Sequence, residues 1–260
     1  MNESYERLTH WDFGKNLLET GDLDPVYIGL QDLRLSQEEL SAWLLSYWCF
    51  YHAGVSCHIV NMGMTSFWTC MKYFAVEKAA PRGTERRHFR GAAAGKAIDF
   101  LQQTFVEPQD TIEYLADYYP RTFSRVSDMV QQWPLFGPWI AFKVADMLER
   151  CALIPVDFSD CELQMYSEPT KGALLIAEQE GWPADVKVVC TRLLEHYAGY
   201  KAPPIYDRIV NIQEIETILC KYKSHYNGHY PLGKDTMELH EKLVGWGSLA
   251  ERMRECLPKL

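Results

Sequence analysis

The clearest hydrophobic periodicity in the chain lies between Trp133 and Asp157, in WPLFGPWIAFKVADMLERCALIPVD. Ile140, Val144, Met147, Leu148 and Cys151 recur at helical spacing and predict one buried face, with Lys143, Asp146, Glu149 and Arg150 on the other. This helix should open at Gly137-Pro138. Glycine permits a tight turn with a positive φ, and proline suits the first helical position, where its missing N–H has no partner to lose. Ser36 and Glu39 form a capping-box pattern ahead of LSAWLLSYWCFYHAG, a run apolar on all sides, hence buried, and ended or kinked at Gly54. A second apolar stretch covers Phe67 to Val76. Further helices are predicted over about 3–20, 91–105, 111–119, 172–180 and 183–197 and through IVNIQEIETILCKYK, with a last one over about 236–257 interrupted at Gly245 and Gly247. Gly21 to Pro25 reads as a break, Glu168-Pro169 as an extended turn with Thr170 as candidate N-cap, and SHYNGHYPLGKD as a loop. No segment alternates as a strand does and no repeat is present. The expected class is all-α, one domain over 1–260 with two helical lobes around a cleft.

Composition narrows the classes. Hydrophobic residues make up 47% of the 260 residues and charged residues 23%, as in ordinary globular proteins. No apolar run reaches membrane-spanning length and MNESYERLTH has no signal or transit form, so a cytoplasmic location without membrane attachment is expected. Eight cysteines stand at 49, 57, 70, 151, 161, 190, 220 and 256, none in a Cys-x-x-Cys pair. They predict reduced core thiols, with no disulfide, no metal and no iron–sulfur cofactor. A net charge of −9 opposes a sequence-independent nucleic-acid coat, which depends on phosphate neutralisation by Lys and Arg, but leaves room for a local basic groove.

The basic residues do cluster. PRGTERRHFRG places Arg82, Arg86, Arg87, His88 and Arg90 within nine residues, a density of forked donors suited to a strongly anionic group or simply to a solvated basic turn. CKYKSHYNGHYPLGKD interleaves Lys221, Lys223, His225, His229 and Lys234 with Tyr222, Tyr226 and Tyr230, a pattern suited to a groove that follows a nucleic-acid backbone. His225 and His229 have an i, i+4 spacing, but Asn227-Gly228 disfavours an unbroken helix there and no metal is expected. The helix opened by Gly137 exposes backbone N–H groups with the positive end of the helix dipole behind them, a site for one phosphate. Asp157 ends the hydrophobic step after that helix. It could serve as a helix N-cap, as a general base, or as a stabiliser of positive charge.

The hairpin and the Val156-Asp157 step resemble the helix-hairpin-helix element of the DNA glycosylase superfamily, here over about 124–157. Alignment of Gly137 with the hairpin's second glycine places Asp157 at that superfamily's catalytic aspartate. Leu135 stands at the first glycine, and Trp139 at the catalytic lysine of the bifunctional enzymes. Together FGPWIAFKVADMLER, RGTERRHFRG and KSHYNGHYPLGKD resemble one branch, the bacteriophage alpha-glutamyl/putrescinyl thymine pyrophosphorylases, or amino acid:DNA transferases, from about Trp43 to Leu239. The resemblance implies an enzyme that displaces pyrophosphate from an activated 5-hydroxymethyluracil in double-stranded DNA with a free amino acid or polyamine, inside the bacterial host, after flipping the base. For that chemistry Asp157 is read as general base or amine-orienting group, and the basic residues are assigned on their charge alone. Arg82, Arg86, Arg87 and Arg90, with Lys221, Lys223, His225, His229 and Lys234, would receive pyrophosphate, and Phe136, Gly137, Trp139 and Lys143 would seat DNA. N-glycosidic cleavage on the same scaffold is the alternative, and a DNA-binding module without chemistry a third reading.

Overall fold

The computed structural model describes residues 7–259, so the start of the helix expected from about residue 3 lies outside the described residues. In chain order the α-helices are α1 (His10–Thr20), α2 (Pro25–Leu33), α3 (Gln37–Phe50), α4 (Ala53–Asn61), α5 (Phe67–Val76), α6 (Gly91–Thr104), α7 (Gln109–Ala116), α8 (Phe123–Val130), α9 (Pro138–Arg150), α10 (Ser167–Glu180), α11 (Val186–Tyr197), α12 (Ile212–Tyr226), α13 (Lys234–Lys242) and α14 (Ser248–Glu255). Among the described residues extended pairing is limited to two isolated bridges, Thr122 with Asp157 and Lys201 with Ile209. The fold is all-α. By internal contacts the chain divides into two compact units. One takes the N-terminal stretch through Ile28, Asp160–Glu238 and the residues from Leu257 onward; the other takes Gly29–Ser159 and Leu239–Cys256.

In the unit built on Gly29–Ser159, α3 is the axis. Every residue from Ser41 to Phe50 is buried, and the helix packs against α4, α5, α7 and α9. Trp43, Trp48 and Phe50 are fully enclosed, and burial of such large side chains contributes on the order of 2 kcal/mol each. Its capping box is formed in full: Ser36 Oγ accepts from Glu39 N, and the Glu39 carboxylate accepts from Ser36 N. The break that follows falls at Tyr51 and His52, before Gly54. Tyr51 takes the left-handed conformation, and His52 Nδ1 accepts from Val55 N to cap α4. Burial holds the His52 imidazole down to about 4, in the neutral form that can accept this bond. Gly54 lies inside α4 for a different reason. A Cβ there would stand 2.4 Å from Trp246 Cδ1 and 2.5 Å from the Lys242 carbonyl oxygen.

In the other unit α10 packs along α12, with α1 and α11 also against α12. The α10–α12 approach is closest at Gly172, where a Cβ would meet the Leu219 carbonyl oxygen at 2.1 Å. Helix α10 begins at Ser167 and runs through Pro169, because proline loses nothing in a first turn whose N–H groups lack partners. Helix α11 begins later than expected, where the Asp185 carboxylate accepts from Lys187 N. Asp22 is fully buried and organises the loop before α13. Its carboxylate accepts from Tyr230 Oη, Gly233 N, Thr236 N and Thr236 Oγ1 at 2.8–3.1 Å.

Candidate functional site

Helices α8 and α9 pack together and are joined by the turn around WPLFG. The positive φ in this turn belongs to Leu135, at 68°, and not to Gly137, whose φ is −97°. A left-handed leucine costs about 1–2 kcal/mol, and the turn is held by Arg86, whose Nη1 donates to the Leu135 carbonyl at 2.7 Å. Gly137 therefore needs another explanation. Its φ is open to any residue, and a Cβ placed on it would meet nothing within 4 Å. Neither conformation nor internal packing calls for glycine here. What glycine provides is clear space directly before a helix N-terminus that no side chain caps, where an external group can reach the backbone.

The arginine loop lies against this turn. Gly83 N donates to the Phe50 carbonyl at the end of α3, and Arg86 reaches both the Cys49 and Leu135 carbonyls. Arg86 is 1% exposed, with its guanidinium 4.6 Å from the Phe89 ring centre and 4.7 Å from that of Phe136. Burial lowers its pKa to about 10, so it remains a cation at neutral pH. Arg82 donates to the Phe74, Ala75, Glu77, Ala80 and Phe89 carbonyls, closing the C-terminal end of α5. Two of the four arginines expected at an anion site thus hold the fold together. Arg87 and Arg90 are exposed, as is His88 between them. Partial desolvation of the ring and the neighbouring Arg86 charge lower the His88 pKa, keeping its ring neutral.

The hairpin residues divide similarly. Phe136 is 4% exposed and packs on Trp133 and Phe89, so any strand contact there runs through its backbone. Trp139 is half-buried, edge-on to Tyr51 at 5.0 Å. The polar face expected for α9 is not a solvent face. Lys143, Asp146 and Arg150 are 7%, 0% and 3% exposed, with Arg150 3.4 Å from Asp146. Their i, i+3 and i+4 spacing lets them neutralise one another inside the fold, a pairing that amphipathic periodicity alone does not distinguish from a wet surface. The Lys143 side chain is accordingly part of that interior.

Asp157 sits at the Thr122 bridge that precedes α8. Its N–H donates to the Arg121 carbonyl and its carbonyl accepts from Phe123 N, both at 2.8 Å. The next residue, Phe158, packs on Phe123 and on Phe142, in the second turn of α9. The acid is therefore fixed by backbone pairing at the start of α8, the hairpin's first helix. Its carboxylate is exposed and accepts from Ser159 N at 2.9 Å, and that hydrogen bond holds its pKa below the ordinary aspartate value. It is a standing anion at neutral pH, better suited to bind a cation than to take a proton.

The second basic string belongs to the other unit and is largely internal to it. Lys221 Nζ donates to the Asp22 and Leu23 carbonyls and pairs with Asp235 at 2.7 Å. Lys223 pairs with Glu168, and Lys234 donates to the His229 carbonyl. Helix α12 continues through Tyr226, so His225 is helical and 1% exposed; its Nδ1 lies 2.8 Å from the Tyr230 carbonyl oxygen, and its Nε2 accepts from Leu8 N. Only His229 of this group is on the exposed side of the loop. Among the described residues, no group of three or more His, Cys, Asp or Glu is placed to hold a metal, and no helix is long and apolar enough to cross a membrane.

The amino acid:DNA transferase family model matches residues 18–229. A glycinyltransferase of Pseudomonas phage PaMx11 is 38% identical over all of this chain and 99% of its own length. A putrescinyltransferase of Delftia phage PhiW-14 is 27% identical over 95% of this chain and 82% of its own. The chain belongs to the amino acid:DNA transferase family, which sets aside glycosidic cleavage as its activity.

Proposed function

We propose that this protein transfers an amine onto an activated pyrimidine in double-stranded DNA, displacing pyrophosphate, in the cytoplasm of a phage-infected bacterium. The amine nitrogen attacks the methylene carbon on C5 of the pyrimidine. The carbon–oxygen bond breaks, and pyrophosphate departs with the electron pair. Arg87 and Arg90 stabilise the charge that develops on the leaving group. The backbone N–H groups at the start of α9 seat a phosphate of the strand. Asp157 orients the incoming amine as its ammonium forms; the amine's proton leaves to solvent, because a carboxylate of lowered pKa is a weak base.

The observation that carries this reading is Gly137, a glycine that the chain's own conformation and packing leave unexplained and that an approaching phosphate explains. The relative with 38% identity, named a glycinyltransferase, favours an amino acid over a polyamine. The direct test is mass spectrometry of nucleosides from duplex DNA bearing the pyrophosphorylated pyrimidine, incubated with the protein and either glycine or putrescine. A glycinyl adduct with stoichiometric pyrophosphate release is expected. Abasic sites instead would establish glycosidic cleavage, and unchanged nucleosides with every amine would remove the transferase reading.

A further inference from the structure

Tyr119 is 82% exposed and Tyr118 47%, an aromatic pair that buries little and lies just before the Asp157 bridge. Exposed tyrosines are ordinary when the chain around them is loose. Here it is pinned. Arg125 Nη1 donates to the Tyr119 carbonyl at 3.0 Å, and Arg121 donates to the Ala116 carbonyl on one side and to that of Pro155 on the other. The Arg121 guanidinium stands 5.9 Å from the Tyr119 ring centre. Arg121's own carbonyl accepts from Asp157 N, so two residues of chain, at most about 7 Å, separate the tyrosine from the residue paired with the acid.

We propose that Tyr119 is a base-stacking residue for the DNA substrate, packing its ring on a nucleobase unstacked from the duplex at or beside the modified pyrimidine. The inference rests on the DNA-transferase reading above. Three features specify a nucleic acid as the occupant. The ring is 82% exposed and so open to a flat partner, the Arg121 guanidinium 5.9 Å from its centre places a cation beside that partner, and the turn is fixed relative to the acid that must face the reacting base. A base leaving the stack loses its neighbours' π-faces, and an aromatic ring held in place beforehand replaces one of them at little entropic cost.

The test compares the wild-type chain, Tyr119→Ala and Tyr119→Phe on a substrate duplex carrying 2-aminopurine next to the target pyrimidine. Equilibrium fluorescence is read alongside KM for DNA, KM for the amine and kcat. Tyr119→Ala should raise KM for DNA about tenfold or more and abolish the fluorescence change, while leaving KM for the amine as it was. Tyr119→Phe should restore both DNA readouts, because stacking needs the ring and not the hydroxyl. Far-UV circular dichroism should be the same for all three proteins, given the exposure of the side chain. If Tyr119→Ala binds DNA and perturbs 2-aminopurine as the wild-type chain does, the stacking role is wrong while the transferase reading stands. If the wild-type chain neither binds nor modifies the duplex, both fall together.

Discussion

Gly137 and Leu135 show how little a residue's type alone says about its backbone. The sequence points to glycine as the left-handed position of the turn, yet leucine occupies it, secured by the bond from Arg86 to its carbonyl. Gly137→Ala separates the two uses of glycine. With φ at −97° and no neighbour within 4 Å of the added carbon, the variant should fold with unchanged or slightly raised stability, by up to about 1 kcal/mol through the unfolded state. Its affinity for duplex DNA should fall on the order of tenfold, since a methyl group would hold a phosphate away from the α9 backbone. Titration of a labelled duplex together with denaturant unfolding checks both halves. Arg86 illustrates the opposite lesson. An arginine-rich string signals an anion site, but the string cannot say which guanidinium groups turn inward to carbonyls, as those of Arg82 and Arg86 do.

At the scale of elements, local signals were readable and long-range ones were not. The capping box at Ser36 and Glu39 and the start of α6 at Gly91 depend on residues within one turn, and both form where the pattern places them. Helix α2 is only nine residues long, Pro25–Leu33, too short a run for periodicity to register. The α12–α13 connection depends on Asp22, roughly two hundred positions away in sequence, so the role of the lysines and histidines around it could not be read from their spacing. The same holds for Gly172, whose requirement comes from Leu219. Gly172→Ala should push α10 from α12 and cost about 1–3 kcal/mol. This would appear as a lower denaturant midpoint at unchanged m-value. An unaltered midpoint would mean that the two helices adjust freely.

For the whole molecule, a net charge of −9 says nothing of where the cations are free to meet an anion, and the two units differ in this. In one unit Arg87 and Arg90 stand exposed beside the hairpin, while in the other Lys221, Lys223 and Lys234 are tied to carboxylates and carbonyls. The all-α class and the helix opened at Gly137-Pro138 were legible in the sequence, while the packing of the arginine loop on the turn before it was not. The Thr122–Asp157 bridge, which fixes the acid, was not, because an isolated bridge leaves no alternation to detect. The chemistry at that acid is most directly examined with Asp157→Asn, by amine-dependent pyrophosphate release between pH 5 and 9. Its lowered pKa keeps the carboxylate charged across this range, so the wild-type rate should climb with pH as the free amine loses its proton, with no acid limb from Asp157. Asp157→Asn should lower release about a hundredfold or more at every pH while binding DNA as tightly as the wild-type chain. Wild-type turnover in the asparagine variant would show that Asp157 takes no part in the reaction.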